Sequence, residues 1–63
     1  MFKTDVRKYP SGTSRFHMMC ELDGACIAYG AGDSEPTARA ACIAAAERVA
    51  LELADWIAKE KAK

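Results

Sequence analysis

The dipeptide Asp23-Gly24 sits between two short apolar stretches, residues 15–22 and 25–31. A two-residue type I′ turn needs positive φ at both central positions, and Asp-Gly is one of the few pairs that accept it. The dipeptide therefore predicts an antiparallel hairpin. The turn also fixes a register. Leu22 pairs with Ala25, Cys20 with Ile27, Met18 with Tyr29 and Phe16 with Ala31. Every partner is apolar, and alternation places the whole set on one face. The other face carries Arg15, His17, Met19 and Glu21 opposite Cys26, Ala28 and Gly30.

Turn formers precede the hairpin in Pro10-Ser11-Gly12-Thr13-Ser14. Ahead of them a first strand is expected over about 2–9, with Phe2, Thr4 and Val6 inward and Lys3, Asp5 and Arg7 outward. The hairpin strands are expected over 15–22 and 25–31. After them comes Gly30-Ala31-Gly32-Asp33-Ser34-Glu35-Pro36, a flexible segment ending in helix-start chemistry. Ser34 or Asp33 can cap, and Glu35 and Pro36 suit a first turn. A long Ala-rich helix is expected over about 34–60, built from good helix formers. The predicted fold class is α+β: one domain over 1–63, a three-stranded antiparallel sheet packed on one C-terminal helix, in the order β-β-β-α.

The helix carries more apolar surface than one small sheet can cover. At ~100° per residue, Ala38, Cys42, Ala45, Val49, Leu53 and Trp56 form one stripe, expected to lie on the sheet. Ile43, Ala46, Ala50, Ala54 and Ile57 form a second stripe beside it. Glu47, Arg48, Glu52, Asp55 and Lys59 occupy the remaining arc. About 25 helical residues span roughly 38 Å, against roughly 25 Å for the strands, so an overhang of around two turns is expected. It carries Trp56 and Ile57. Exposed apolar patches of this kind mark interfaces. Ile43, Ala50, Ala54, Trp56 and Ile57 are therefore the expected self-association residues, and a two-fold homodimer the expected assembly. A chain of 63 residues, thirteen of them Ala, has little else from which to build a core.

Charge and chemistry exclude several classes. Nine basic residues balance nine acidic ones, which argues against nucleic-acid binding by bulk electrostatics. No apolar run is long enough to span a membrane, and the polar start carries no signal peptide, so the expected location is the cytoplasm. Cys20, Cys26 and Cys42 form no Cys-x-x-Cys pair and read as free thiols, with Cys20 and Cys42 on core faces. His17, the sole histidine, reads as a surface residue, because Cys26 lies ~13 Å along the strand from it, too far for joint metal ligation. Ser11, Ser14 and Ser34 sit in turns without a base. Gly30-Ala31-Gly32 lacks the remaining spacing of a phosphate loop and has Asp33 and Glu35 beside it. No catalytic residue, metal or cofactor is expected, and the chain reads as a non-enzyme.

Charge is nonetheless uneven along the chain. Lys3, Arg7, Lys8 and Arg15 outweigh Asp5 in the first quarter, whereas residues 16–35 hold Glu21, Asp23, Asp33 and Glu35 and no base. The acidic set is the expected contact surface for a basic partner. The basic set is the surface a nucleic acid would use.

Residues 22–53 resemble the second half of a double-stranded RNA-binding domain, through Gly30-Ala31-Gly32-Asp33-Ser34 and then Ala38, Ala41, Ala45 and Ala46. That family places a lysine cluster at the helix start, where this chain has Glu35-Pro36-Thr37-Ala38-Arg39. It also has a first helix that is missing here. The alternative this resemblance implies is a reduced duplex-RNA-binding module. The chain is also similar to small phage and prophage sheet-plus-helix proteins, among them anti-CRISPR proteins, through its length, its hairpin and Gly32-Asp33-Ser34-Glu35-Pro36 leading into an Ala-rich helix. That resemblance implies an accessory or inhibitor protein that binds and blocks a host protein complex. The function expected from the sequence is accordingly a non-enzymatic protein-binding module of phage type.

Overall fold

The computed structural model describes residues 1–8 and 15–63. Three strands, β1 (Phe2–Lys8), β2 (Phe16–Leu22) and β3 (Ala25–Gly32), precede one helix, α1 (Glu35–Lys61). The strands form an antiparallel sheet in the order β1-β2-β3. This is the expected α+β arrangement. The turn-former cluster Pro10–Ser14, with Ser11 and Ser14, lies outside the described residues.

The two punctuating signals behave as their chemistry requires. Asp23 and Gly24 have φ of 51° and 88°, the paired positive values of a type I′ turn. Ser34 caps α1 in extended conformation, and its Oγ accepts from the Thr37 backbone N–H at 3.3 Å. The Thr37 hydroxyl lies 2.9 Å from the same oxygen. Pro36 stands in the first turn, where its missing N–H costs nothing.

The hairpin departs from the expected register one residue after its turn. Leu22 pairs with Ala25 and Glu21 with Cys26, but Cys20 then pairs with Ala28, so Ile27 has no partner and forms a bulge. Met18 consequently faces Gly30 rather than Tyr29, and Phe16 faces Gly32 rather than Ala31. The bulge exchanges the two faces of β3. Ala28, Gly30 and Gly32 turn toward the helix and are buried, while Tyr29 is exposed and stacks edge-on to His17 at 5.8 Å.

Close approach of the helix is what this exchange permits. A Cβ on Gly30 would overlap the Cys42 backbone nitrogen and lie 2.6 Å from both the Ala38 oxygen and the Ala41 carbonyl carbon. A Cβ on Gly32 would lie 2.5 Å from the Thr37 methyl. Small residues on α1 meet these gaps: Ala38 is 0% and Cys42 1% exposed. Met18, Ala28 and Cys42 form the core, with Val6, Cys20, Ala45 and Ala46 packed against it.

Helix and sheet part company early. Gly32 meets Thr37, Gly30 meets Ala38 through Cys42, and Ala28 lies with Cys42, Ala45 and Ala46. The helix therefore runs back along β3 toward the hairpin turn and lies over β3 and β2. Phe2 and Thr4 share the register face of Val6, as expected, but α1 does not cover them, and Phe2 is 63% exposed. Val49, Leu53 and Trp56 were expected on the sheet. They are exposed instead, because α1 leaves the sheet after Ala46 although β3 runs on to Ala25. Every residue from Glu47 onward is exposed, so the overhang is about four turns rather than two. The molecule measures 51 × 20 × 16 Å, its length set by this helix.

Candidate functional site

The overhang, residues 47–61, is an amphipathic helix with one wall missing. Its apolar side continues the meridian that Ala38 and Cys42 bury against the sheet. Beyond the sheet the same line carries Val49, Leu53 and Trp56, with Leu53 52% and Trp56 57% exposed. Ala50 and Ile57 flank it and are also exposed. The opposite side carries Glu47, Arg48 and Asp55 together with the exposed Leu51, and Glu52 and Lys59 lie at its border with the apolar side, all solvated. Lys59 pairs with Asp55 at 2.9 Å, and Lys63 with Glu60 at 3.1 Å. Lys59 and Lys61 lie in the last turn, where cations complement the helix dipole.

Of the five residues expected to self-associate, Ala50, Trp56 and Ile57 fall together on this apolar side. Ile43 lies on the sheet-bound half of the helix, half-exposed. Ala54 is exposed on the overhang, toward the polar border. Val49 and Leu53 belong to the surface but were not expected there, since a complete stripe of apolar residues reads as core. The signal that marks them is helix length set against strand length.

The four acidic residues do not form one patch. Glu21 and Asp23 lie at the hairpin end of the sheet, whereas Asp33 and Glu35 follow the far end of β3. Eight residues of β3 separate the pairs, roughly 26 Å of strand. Asp23 also has the Met1 ammonium 3.4 Å away. The basic residues are likewise dispersed. Lys3 and Arg7 alternate with Lys8 along β1, and so point to the opposite face. The Arg7 Nε donates to Asp5 at 2.9 Å, and the Lys8 ammonium sits 6.0 Å from the Phe16 ring centroid.

The cysteines are free. Cys42 is sealed between helix and sheet. Burial pushes its thiol above the ordinary value, and charge on Cys20 and Cys26 would raise it further. Cys26 is exposed and its thiol lies 3.5 Å from the Ala28 carbonyl oxygen. Among the described residues, no three His, Cys, Asp or Glu side chains converge to hold a metal ion, and no helix is long and apolar enough to cross a membrane.

Compared with protein-family models, with curated proteins and with solved structures, the chain has no significant match in any of the three.

Proposed function

We propose that this chain is a non-enzymatic protein-binding module whose binding surface is the apolar side of the helix overhang. The observation that carries this reading is the exposure of Val49, Leu53, Trp56 and Ile57 on one side of a regular helix. Apolar groups set along a helix in this way are the usual anchors of helix-mediated recognition. Trp in particular is enriched among residues that dominate binding energy. A short sheet fixes the root of the helix through the Gly30 crossing, and the free half is presented like a handle. The resemblance to phage-type proteins supports a host complex as the foreign protein bound and blockade as the consequence.

The test is affinity capture from a lysate of the cells that make the chain. Wild type and Leu53→Asp are immobilised in parallel, with far-UV circular dichroism confirming that both keep their helix. Proteins retained by wild type and lost from Leu53→Asp are the expected result. Equal retention by both would overturn the overhang as the binding surface.

A further inference from the structure

We infer that the overhang binds a second copy of this chain, antiparallel and two-fold, with Leu53 of each copy against Trp56 of the other. This rests on the overhang being a binding surface and names its occupant. The first observation is area. A compact monomer of 6.8 kDa exposes about 3,950 Å² on the size scaling for folded chains. This chain exposes 4808 Å². The excess, about 850 Å² over the whole chain, accompanies a helix half that no other element covers.

The second observation is the pattern of residues. Val49, Leu53 and Trp56 follow in steps of four and three, the spacing of a coiled-coil seam, which Ala46, packed on the chain's own core, and the charged Glu60 bound at its two ends. Ala50 and Ile57 border the seam on one side, Glu52 and Lys59 on the other. In an antiparallel pair the match is made at the centre of the seam, while Val49 stands opposite the partner's Glu60 at its solvent-exposed end. Placing Leu53 opposite the partner's Trp56 puts the two largest apolar groups of each seam at the dyad. The same register brings Ala50 to the partner's Ile57, a small residue to a large one. On the other border it brings Glu52 to the partner's Lys59, an acid to a base. A slide of one heptad would set Glu52 against the partner's Glu52 and lose the match. A parallel pair would align the two helix dipoles and bring the lysine-rich ends Lys59, Lys61 and Lys63 together. Antiparallel pairing avoids both and leaves the two sheets at opposite ends.

Sedimentation equilibrium of the full chain over a wide concentration range tests this, with Trp56 emission read on the same samples. The expected result is a mass of twice 6.8 kDa, with emission shifting to the blue as the dimer forms. Glu52→Lys alone and Lys59→Glu alone should each weaken the dimer about tenfold, since each converts two attractive pairs to repulsive ones. The double variant Glu52→Lys/Lys59→Glu should restore it. Both positions are exposed, so circular dichroism should be unchanged in each variant. A monomer at every concentration would overturn the inference, as would a dimer indifferent to Glu52→Lys. The emission separates this failure from that of the wider reading. A monomer with water-exposed Trp56 leaves the surface open for a foreign protein, whereas a monomer with shielded Trp56 removes the surface altogether.

Discussion

Gly30 and Ala38 lie so close that a Cβ on the glycine would stand 2.6 Å from the alanine carbonyl oxygen. The obstruction is helix backbone, which cannot rotate aside as a side chain can. Gly30→Ala must therefore lift α1 from β3 and open the packing of Met18 and Cys42. Overpacking at a rigid site costs about 3 kcal/mol, a large share of what so small a domain has. Gly24→Ala offers the contrast. Nothing lies within 4 Å of its Cβ, but its φ is +88°, a strain of about 1 kcal/mol. Urea unfolding of the two variants should rank them in that order. Equal midpoints for Gly30→Ala and wild type would remove the close crossing from this account.

Local chemistry made the hairpin turn and the helix cap legible. Asp23, Gly24 and Ser34 act through their own backbone neighbourhood, and no distant residue is needed to read them. The register beyond the turn is different. Ile27, Tyr29 and Ala31 form one apolar set, and Ala28, Gly30 and Gly32 form another that is equally free of charge. Alternation alone does not choose between them. The choice belongs to α1, which can approach only the set without bulk, and the bulge at Ile27 delivers it. The helix overhang was partly legible for a similar reason. Helix length foretold an overhang carrying Trp56 and Ile57. The full extent of the overhang depends on where α1 leaves the sheet, a tertiary matter that hid Val49 and Leu53 among apparent core residues. The acidic set stands at the two ends of β3, which lies between Asp23 and Asp33.

The Ser34 cap is a discrete stabilising element. Its Oγ satisfies one of the orphan N–H groups of the first turn. Ser34→Ala should cost about 1 kcal/mol. Ser34→Asp should keep the cap and add a favourable charge at the positive end of the dipole. Thermal melts followed by circular dichroism check this, with Ser34→Ala expected lowest. A Ser34→Ala variant that melts with wild type would show the cap to be idle.

Alkaline pH should weaken the fold through Cys42. Burial raises its thiol above the ordinary value of 9.0 in the folded state. The unfolded chain therefore loses this proton first as pH rises. Stability from this group is complete below about 9 and is lost as pH climbs through the higher folded value. Cys42→Ala removes the dependence at the cost of a small cavity. Urea midpoints measured from neutral pH to above 9 should fall more steeply for wild type than for Cys42→Ala. Alkylation supplies an independent reading: Cys26, exposed, should react under native conditions, and Cys42, 1% exposed, only on unfolding. Parallel pH profiles for the two proteins would exclude Cys42 as the source.

Duplex RNA should not bind. A duplex-binding surface must meet phosphates across two successive minor grooves, which requires several cations on one continuous face. Here Lys3 and Arg7 lie on the opposite side of β1 from Lys8. Arg7 already donates to Asp5, and the Lys8 ammonium rests near the Phe16 ring. At the helix start the first turn carries the acidic Glu35, which repels phosphate. Gel shifts with duplex RNA at low salt should show no complex, because low salt is where phosphate neutralisation is strongest. A complex that forms there and dissolves steeply with added salt would count several phosphate contacts. It would also direct attention from the helix overhang to the sheet, where Lys3→Ala and Arg7→Ala would each be expected to lower the salt slope by about one.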